Sequence, residues 1–583
     1  MPYIGKSPSA GVRQRYQYTA TAGQTTFSGT DLGNLTLTYT DNNFVDVFQN
    51  GVLLKGGGTD YTATSGTSVV LATGASVSDV IEIIVYDVFS VGNFFNRTDS
   101  DSRYVNHNST TAGTDNFIAG NNAGDAIASG GNYNTLVGNE AGTAITTGDN
   151  NTAVGFEALA TEDAHGNNTA VGYRALKTLD AGAEGYNTAV GQDAGTAVTT
   201  GRYNTLMGAI AADSVTEGER NTALGYGALQ TDTKGARAVA LGFNALGTQN
   251  FTSATSNYNI GIGYDAGGAL TTGQYNTFIG GLAGDGVDDA DYNTAVGYNA
   301  LSANCGQLNT AVGADALESC TGTNNTAVGY RAGEAITTGS QNAFFGTYTG
   351  DGGDDSNYNT AIGYGAMSNA NFGDGNTSVG WLSGFAITGS NNTVVGNAAG
   401  YSITSGGNNL FLGKDAGRTG SPGGNFTTHS NRITLGDENI IEFNAQVSLS
   451  VASDERDKTD FTALDIGLDF VKQLNPLTYR WDKRSKYGDK YADDYDLNAQ
   501  TPDGTHKEEQ LEVGFKAQEV NALEEASGYK ITDKTNLTTT LSEDGKQYGM
   551  QYEKFVPILV KAVQELSAKN DALEARIKKL EDG

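Results

Sequence analysis

The sequence predicts a mainly β protein in three parts: a small N-terminal β-sandwich, a glycine-rich trimeric β-solenoid or β-roll shaft, and a C-terminal α+β region that ends in a coiled coil. Three observations predict this. A five-residue unit of the form Asn-Thr-Ala-Val-Gly recurs through the middle of the chain, about every 17 residues. Glycine makes up 80 of the 583 residues, and 19 of the 35 lysines and arginines lie in the last 131. A fixed period of this kind is typical of a solenoid, and the uneven charge indicates regions with different roles.

The expected boundaries follow these changes in composition. They are an N-terminal β module at 1–106, a repeat shaft at 107–425, a β transition or tip at 426–452, and a separate C-terminal region at 453–583.

Composition and charge exclude several classes of partner. The formal net charge is −31 and the pI is near 4.4, so a polyanion such as nucleic acid would be repelled. The first residues, MPYIGKSPSAGVRQRYQY, lack the apolar core of a signal peptide, and no apolar run reaches membrane-spanning length. We therefore expect synthesis in a cytoplasm, with no nucleic-acid partner and no membrane insertion.

The N-terminal module is predicted from alternating runs that end in turn residues. VDVFQNGVLL, TSVVLAT and VIEIIVYDV have the period of half-buried strands, and Asn50-Gly51 is a strong hairpin signal. Several short strands of this kind favour a small β-sandwich.

The shaft is predicted from 18 copies of the repeat, which end at glycines from Gly120 to Gly413 and are mostly 16 or 17 residues apart. Each period divides into a short strand, a pair of small residues and a polar turn, and the leading asparagines are expected to form a ladder along the shaft. At about 4.8 Å per strand the shaft would span about 85 Å. Because few large apolar residues occur per period, we expect three chains to bury a core together.

No cofactor and no metal are predicted. The acidic turns near Asp288 and Asp354 lack a regular calcium-binding spacing and are interpreted as solvated turns. Cys305 and Cys320 lie about one repeat apart and are expected to be small buried residues, with a bridge as the less favoured alternative. The four histidines show neither triad nor metal-ligand spacing, and no carboxylate pair of the glycosidase kind stands out. These histidines are His107, His165, His429 and His506.

The C-terminal end carries two interleaved seven-residue series, which predict a short coiled coil over 553–582. The alternative is an ordinary amphipathic helix that packs on its own domain. The expected core positions are Val556, Leu559, Val563, Leu566, Asn570, Leu573, Ile577 and Leu580.

Ser453 has two possible roles. Followed by Asp454 and Glu455, it is a good helix N-cap. Alternatively it is a nucleophile whose proton is taken by Lys458, a residue that acts as a base when burial or nearby positive charge such as Arg456 favours its neutral form. A separation of five residues does not align on one helix face, so the lysine is expected either on a non-helical turn or from a neighbouring chain.

A family resemblance bears on this choice. Ser453, Asp454, Arg456 and Lys458 match the Ser-Asp-x-Arg-x-Lys signature of the intramolecular chaperone peptidase that ends endosialidase-type tailspikes and many phage fibres. LNPLTYRWD, VGFKAQEV and YEKFVPILVKAVQEL are similar to its later blocks, in the same order. The resemblance implies self-cleavage between Ala452 and Ser453. The charged insertion KYGDKYADDYDLNAQTPDGTHKEEQ departs from the family and is expected to be a surface loop.

The N-terminal module resembles head-proximal modules in tail fibres of tailed bacteriophages, cyanophages among them. The two resemblances together imply a structural tail fibre of the virion that takes part in host attachment. Its partners would be two further copies in a homotrimer, phage tail or baseplate proteins at the N-terminus, and a glycan or protein receptor on the host surface. The only activity expected is single-turnover autoproteolysis. The alternatives are a tailspike depolymerase that acts on host polysaccharide and a trimeric bacterial adhesin.

Overall fold

The structure is a computed structural model that describes residues 13–86, 113–369, 371–492 and 494–583. The chain divides into two compact units, Met1–Asp101 and Ser102–Gly583. The predicted fold class is confirmed: the chain is mainly β, with a small β-sheet unit, a long β-solenoid and a C-terminal helix. None of the helices in the described ranges has the length and apolar character that a membrane span requires.

The N-terminal unit consists of two antiparallel sheets over one core. The first sheet has the order β1-β7-β3-β4 and the second β2-β6-β5. The strands are β1 Gln14–Thr19, β2 Gln24–Ser28, β3 Val45–Gln49, β4 Val52–Leu53, β5 Tyr61–Thr62, β6 Ser68–Ala75 and β7 Val80–Val85. Both sheets contribute to a single cluster of buried residues, which includes Tyr16, Phe27, Val47, Val69 and Ile83.

The hairpin at Asn50-Gly51 forms as the sequence predicts. Both residues have positive φ, 50° and 82°, as a tight two-residue turn between β3 and β4 requires. The Asn50 side chain also reaches β7, where its Oδ1 accepts a hydrogen bond from the Val80 N–H at 2.9 Å. The turn therefore fixes the register of this sheet at its edge.

The shaft is a ladder of parallel three-residue strands, one per coil. Its strands are β8 Phe117–Ala119, β9 Thr135–Val137, β10 Thr152–Val154, β11 Thr169–Val171, β12 Thr188–Val190, β13 Thr205–Met207, β14 Thr222–Leu224, β15 Gly235–Ala236, β16 Val239–Leu241, β17 Thr255–Ser256, β18 Ile260–Ile262, β19 Thr277–Ile279, β20 Thr294–Val296, β21 Thr310–Val312, β22 Thr326–Val328, β23 Ala343–Phe345, β24 Thr360–Ile362, β25 Thr377–Val379, β26 Thr393–Val395, β27 Leu410–Leu412 and β28 Ile433–Leu435. The two-residue strands β15 and β17 pair separately in longer coils.

The other nineteen strands pair in sequence order from β8 to β28, and equivalent residues of successive repeats lie opposite each other. The last strand, Ile433–Leu435, lies beyond the 18 repeats counted in the sequence, because Arg432 replaces the leading asparagine and the coil is longer, with Arg432 lying 23 residues after Asn409. The ladder therefore continues into the segment expected to be a transition or tip.

Each coil closes because its strand is short and its corner is a glycine. The middle residue of the strand points inward and is fully buried, as at Ala153, while Thr152 and Val154 face outward and are half-buried. Gly155 follows with φ +139°, and a Cβ there would lie 2.2 Å from the carbonyl oxygen of Gly172 in the next coil. A side chain at this corner would separate the stacked coils, which explains the invariant glycine of the repeat.

The leading asparagines form a buried column that ties successive coils together and is interrupted at Ala238. The Asn151 N–H donates to Asn134 Oδ1 at 2.8 Å, and Asn134 Nδ2 donates to the Gly148 carbonyl oxygen at 2.9 Å. The amide therefore satisfies backbone groups of its neighbours as well as stacking on them. Asn134 and Asn151 are at most 1% exposed, so these bonds are protected from water.

One chain encloses the core of the shaft by itself. A continuous buried cluster, mostly alanine with Leu, Val, Ile and Phe, extends from Ile118 to Phe426. Contrary to the prediction, a single chain fills this core without many large residues, because each coil is narrow enough for alanine to fill. Trimer formation stays a prediction that this core does not require.

The C-terminal region is a small α+β fold. Its strands form two antiparallel pairs, β29 with β30 across the charged insertion and β31 with β32 as a hairpin, and its core includes Phe470, Val520 and Phe555. The elements are α1 Leu468–Val471, β29 Leu477–Tyr479, β30 Glu512–Gly514, α2 Ala517–Ala526, β31 Thr539–Leu541, β32 Tyr548–Met550 and α3 Phe555–Glu581, with one-turn 3-10 helices at Glu455–Asp457, Arg484–Lys486, Leu497–Ala499 and Tyr552–Lys554.

Helix α3 packs on its own domain with one face and leaves the heptad face exposed. Phe555, Ile558 and Ala562 are buried against the domain. All the apolar heptad positions are 46% to 80% exposed: Val556, Leu559, Val563, Leu566, Leu573, Ile577 and Leu580. The helix therefore has both a face that packs on its own domain and an exposed heptad face, which the sequence predicts as alternatives.

The charged insertion is not simply a surface loop, contrary to the sequence expectation. Leu497 is buried, and Lys490 and Tyr491 bind the last coils of the shaft through Asp415 and Glu438. The prediction failed because these partners lie 52 to 76 residues earlier in the chain, a separation that no local pattern reveals.

Candidate active site

The candidate site lies on an exposed segment between the shaft and the C-terminal fold. After the last shaft strand the chain has neither helix nor strand from 439 to 454. Its alternate apolar residues are exposed, with Ile441 at 73%, Val447 at 78% and Leu449 at 91%. The bond between Ala452 and Ser453 lies at the end of this segment and is accessible.

A single 3-10 turn brings Ser453 and Lys458 together. The turn covers Glu455–Asp457, and Lys458 leaves it in an extended conformation with φ −124° and ψ 151°. Lys458 Nζ then donates to Ser453 Oγ at 2.5 Å and to the Ser453 carbonyl oxygen at 3.3 Å. The contact therefore forms within one chain and on a turn that is not α-helical, which is one of the two arrangements expected from the five-residue spacing.

The helix-cap interpretation of Ser453 does not fit this geometry. The N-cap of the turn is Asp454, whose Oδ1 accepts from the Arg456 N–H at 2.9 Å. The hydroxyl of Ser453 bonds to Lys458 instead.

Asp454 and Arg456 form a pair of their own. Arg456 Nε and Nη2 reach the two carboxylate oxygens of Asp454 at 3.0 and 2.6 Å. These hydrogen bonds lower the pKa of Asp454 and raise that of Arg456. The positive charge of Arg456 is therefore directed at Asp454 rather than at Lys458, and the pair fixes the turn that carries the dyad.

The dyad contact is present, but it is open to water. Ser453, Lys458 and every residue between them are exposed. A lysine takes a proton from serine only in its neutral form, which burial favours, whereas an ammonium group donates to the hydroxyl. The single chain thus supplies the geometry of a nucleophile and a base without the desolvation that activates the base.

A second group of ionisable residues lies in the shaft. Ligand atoms of Glu162, Asp163, His165 and Asp180 lie within 4.8 Å of one another. The buried Glu162 accepts the N–H groups of His165 and Ala181 at 3.1 and 3.2 Å, and burial raises its pKa. The sequence does not predict this group, because Asp180 belongs to the next coil and approaches the other three residues only when the coils stack. Hydrogen bonding to backbone N–H groups accounts for the buried carboxylate without a metal.

Comparison with known proteins identifies the C-terminal region. Residues 453–529 match the family model described as chaperone of endosialidase, and the match begins at Ser453. No curated protein and no solved structure matches the chain. The chain therefore contains a chaperone-of-endosialidase domain, which directly follows the β-solenoid and its exposed connecting segment.

Proposed function

We propose that the chain is a trimeric phage tail fibre of the virion, assembled by its C-terminal domain, which then cuts itself off between Ala452 and Ser453. The observation that carries the proposal is the family match that starts at Ser453, directly after the solenoid. A β-solenoid joined to a chaperone of endosialidase fits a protein of the tail-fibre or tailspike type. Host attachment, through a glycan or protein receptor, and binding of phage tail or baseplate proteins follow from this proposal.

The cleavage is an acyl shift followed by hydrolysis. Ser453 Oγ attacks the carbonyl carbon of Ala452 while Lys458 Nζ takes the hydroxyl proton. The carbon–nitrogen bond then breaks, the proton passes to the Ser453 nitrogen, and Ala452 is held as an ester on Ser453 Oγ. Water opens the ester, which leaves a carboxylate on Ala452 and a free α-amine on Ser453. The contact of 2.5 Å between Nζ and Oγ supports these roles.

The exposed heptad face of α3 supports trimer formation. A face of seven apolar side chains, each about half exposed or more, is unfavourable in water and is the pattern that parallel helices bury together. Bringing three C-termini together raises the effective concentration of the shafts and sets their register.

The outer face of the strand ladder supports the same arrangement. The third residue of many shaft strands is a large apolar side chain that faces outward and is 36% to 44% exposed: Met207, Leu224, Ile279, Phe345, Ile362, Val395, Leu412 and Leu435. Because these residues occupy the same position in many coils, they form a stripe along the shaft. Identical stripes on three chains would pack in register.

Expression of the full chain tests the proposed cleavage. Mass spectrometry should find a fragment of 131 residues whose first residue is Ser453. Ser453→Ala should stay whole. Lys458→Arg should also stay whole, because arginine keeps the positive charge but cannot act as a base. The exposed Lys472→Ala is the matched control and should cleave like the wild type.

Two results would contradict the assignment. If Lys458→Arg cleaves at the wild-type rate, Lys458 only positions the serine. If the wild-type chain stays whole in a folded trimer, the domain assists assembly without cutting.

A further inference from the structure

The charged insertion of the C-terminal domain contacts the end of the shaft through a buried ion cluster. Lys490 Nζ lies 2.7 Å from Glu438 Oε1, 3.6 Å from Asp415 Oδ2 and 3.9 Å from Asp437 Oδ2. The three carboxylates are at most 6% exposed and the Lys490 side chain 11%. Three acidic groups of the shaft thus surround one lysine of the C-terminal domain.

Neighbouring contacts extend this junction. The Tyr491 hydroxyl donates to Asp415 Oδ2 at 2.7 Å, and Lys483 Nζ donates to the Glu438 carbonyl oxygen at 2.5 Å. The Arg418 guanidinium lies between two aromatic rings, 4.3 Å from the centroid of Tyr401 and 4.8 Å from that of Tyr491. One ring belongs to the shaft and the other to the insertion, so the stack spans the junction.

Backbone packing at the junction is equally close. A Cβ at Gly420, in the last turn of the shaft, would lie 2.7 Å from the Ser485 Cβ and 2.8 Å from Glu438 Oε2. Ser485 is itself buried. The two surfaces are therefore in close contact at Gly420.

We propose that the insertion is a latch that holds the C-terminal domain on the last coils of the shaft, so that breaking the chain at 452–453 does not by itself release the domain. The latch is defined by Lys490 and Tyr491 on the domain and by Asp415, Asp437 and Glu438 on the shaft. The proposal goes beyond the proposed function, because these contacts exist in the uncut chain and hold whether or not Ser453 cuts.

The physical reason is that separation leaves charges without partners. Removing the domain takes Lys490 from Glu438 and Asp437, whereas Asp415 keeps the Arg418 guanidinium of the shaft at 3.0 Å. Truncating or withdrawing one partner of a desolvated charge pair across an interface is costly. Burial by itself lowers the pKa of Lys490. The hydrogen bond with Glu438 and the nearby Asp415 outweigh burial and raise this pKa above its usual value. The lysine therefore remains charged while it is bound. Because the cluster is buried, added salt screens it weakly.

The test cuts the chain independently of Ser453. A site for a sequence-specific protease is inserted between Gln446 and Val447 of the Ser453→Ala variant, where Val447 is 78% exposed. After digestion, size-exclusion chromatography should show that the shaft and the C-terminal fragment elute together. Separation of the two pieces after digestion, in this variant with the latch residues unchanged, would overturn the proposal. Since the variant cannot use Ser453, this outcome does not depend on autocleavage.

Two lysine variants test whether the latch is what retains the C-terminal fragment on the shaft. Lys490→Met keeps the aliphatic stem without the charge and should weaken retention of the fragment by roughly a hundredfold or more. Lys507→Met, at an exposed lysine of the same insertion, should leave retention unchanged. Retention of the Lys490→Met fragment at the wild-type level would overturn the proposal.

A shaft-side variant controls for misfolding of the domain. Glu438→Gln should also weaken retention, and the double variant with Lys490→Met should lose less than the two single losses combined, because the two side chains share one interaction. Additive losses would show that the side chains do not act together and would contradict the latch.

Discussion

The asparagine column should be a main source of the shaft's stability, and Asn392→Ala tests this. Asn392 is fully buried, its Oδ1 accepts the Asn409 N–H at 3.1 Å, and its Nδ2 donates to the Gly406 carbonyl oxygen at 2.9 Å. Alanine leaves both backbone groups buried without partners. Each unsatisfied group costs about 1–3 kcal/mol, so the free energy of local opening should fall by about 2–6 kcal/mol.

Hydrogen exchange of the peptide around Asn409 measures this opening directly, because exchange reports local stability rather than only global unfolding. Asn397→Ala, at an exposed asparagine in the same coil, is the matched control and should change the opening free energy by less than about 0.5 kcal/mol. If Asn392→Ala changes the opening free energy no more than this control does, water or neighbouring groups replace the amide. The asparagine column would then not be a main source of the shaft's stability.

Three further predictions concern the half-buried Asp351, the two thiols and helix α3. Burial raises the pKa of Asp351 to about 6 from 3.8, so its stabilising contribution is present below about pH 3.8 and lost as the pH rises through about 6. The melting temperature of Asp351→Asn should fall less than that of the wild type as the pH rises from about 4 to about 6. The same pH dependence in both proteins would contradict the prediction. Burial also raises the pKa of Cys305 to about 12 and of Cys320 to about 11, so both free thiols should resist iodoacetamide until the shaft unfolds; rapid labelling of native protein would refute this. Leu566→Asp, on the exposed heptad face, should lower the molar mass measured by light scattering, and an unchanged mass would show that α3 does not associate through this face.

The shaft was predictable from sequence because its information is local and repeated. A strand of three residues, an inward alanine and a corner glycine recur in each repeat, so one repeat predicts the others. The strand Ile433–Leu435 escaped the count because Arg432 stands where the motif has asparagine, although its backbone N–H still donates to Asn409 Oδ1 at 3.0 Å. Closure of the core within one chain was missed because sequence does not reveal how narrow a coil is.

The candidate site was predictable in part. The motif identified Ser453 and Lys458, and the structure brings them into contact. The pairing of Arg456 with Asp454 was not foreseen, because a cation near in sequence was expected to act on the lysine. The latch had no sequence signal, since Lys490 meets Asp415 and Glu438 only after both regions have folded.

The most direct test of the central claim compares the molar mass of the full chain with that of a chain that ends at Ala452. Light scattering should give a trimer for the shaft produced from the full chain, whereas the shorter chain should be monomeric or aggregated. An equal yield of trimer from the shorter chain would contradict the account, and so would a folded monomer from the full chain.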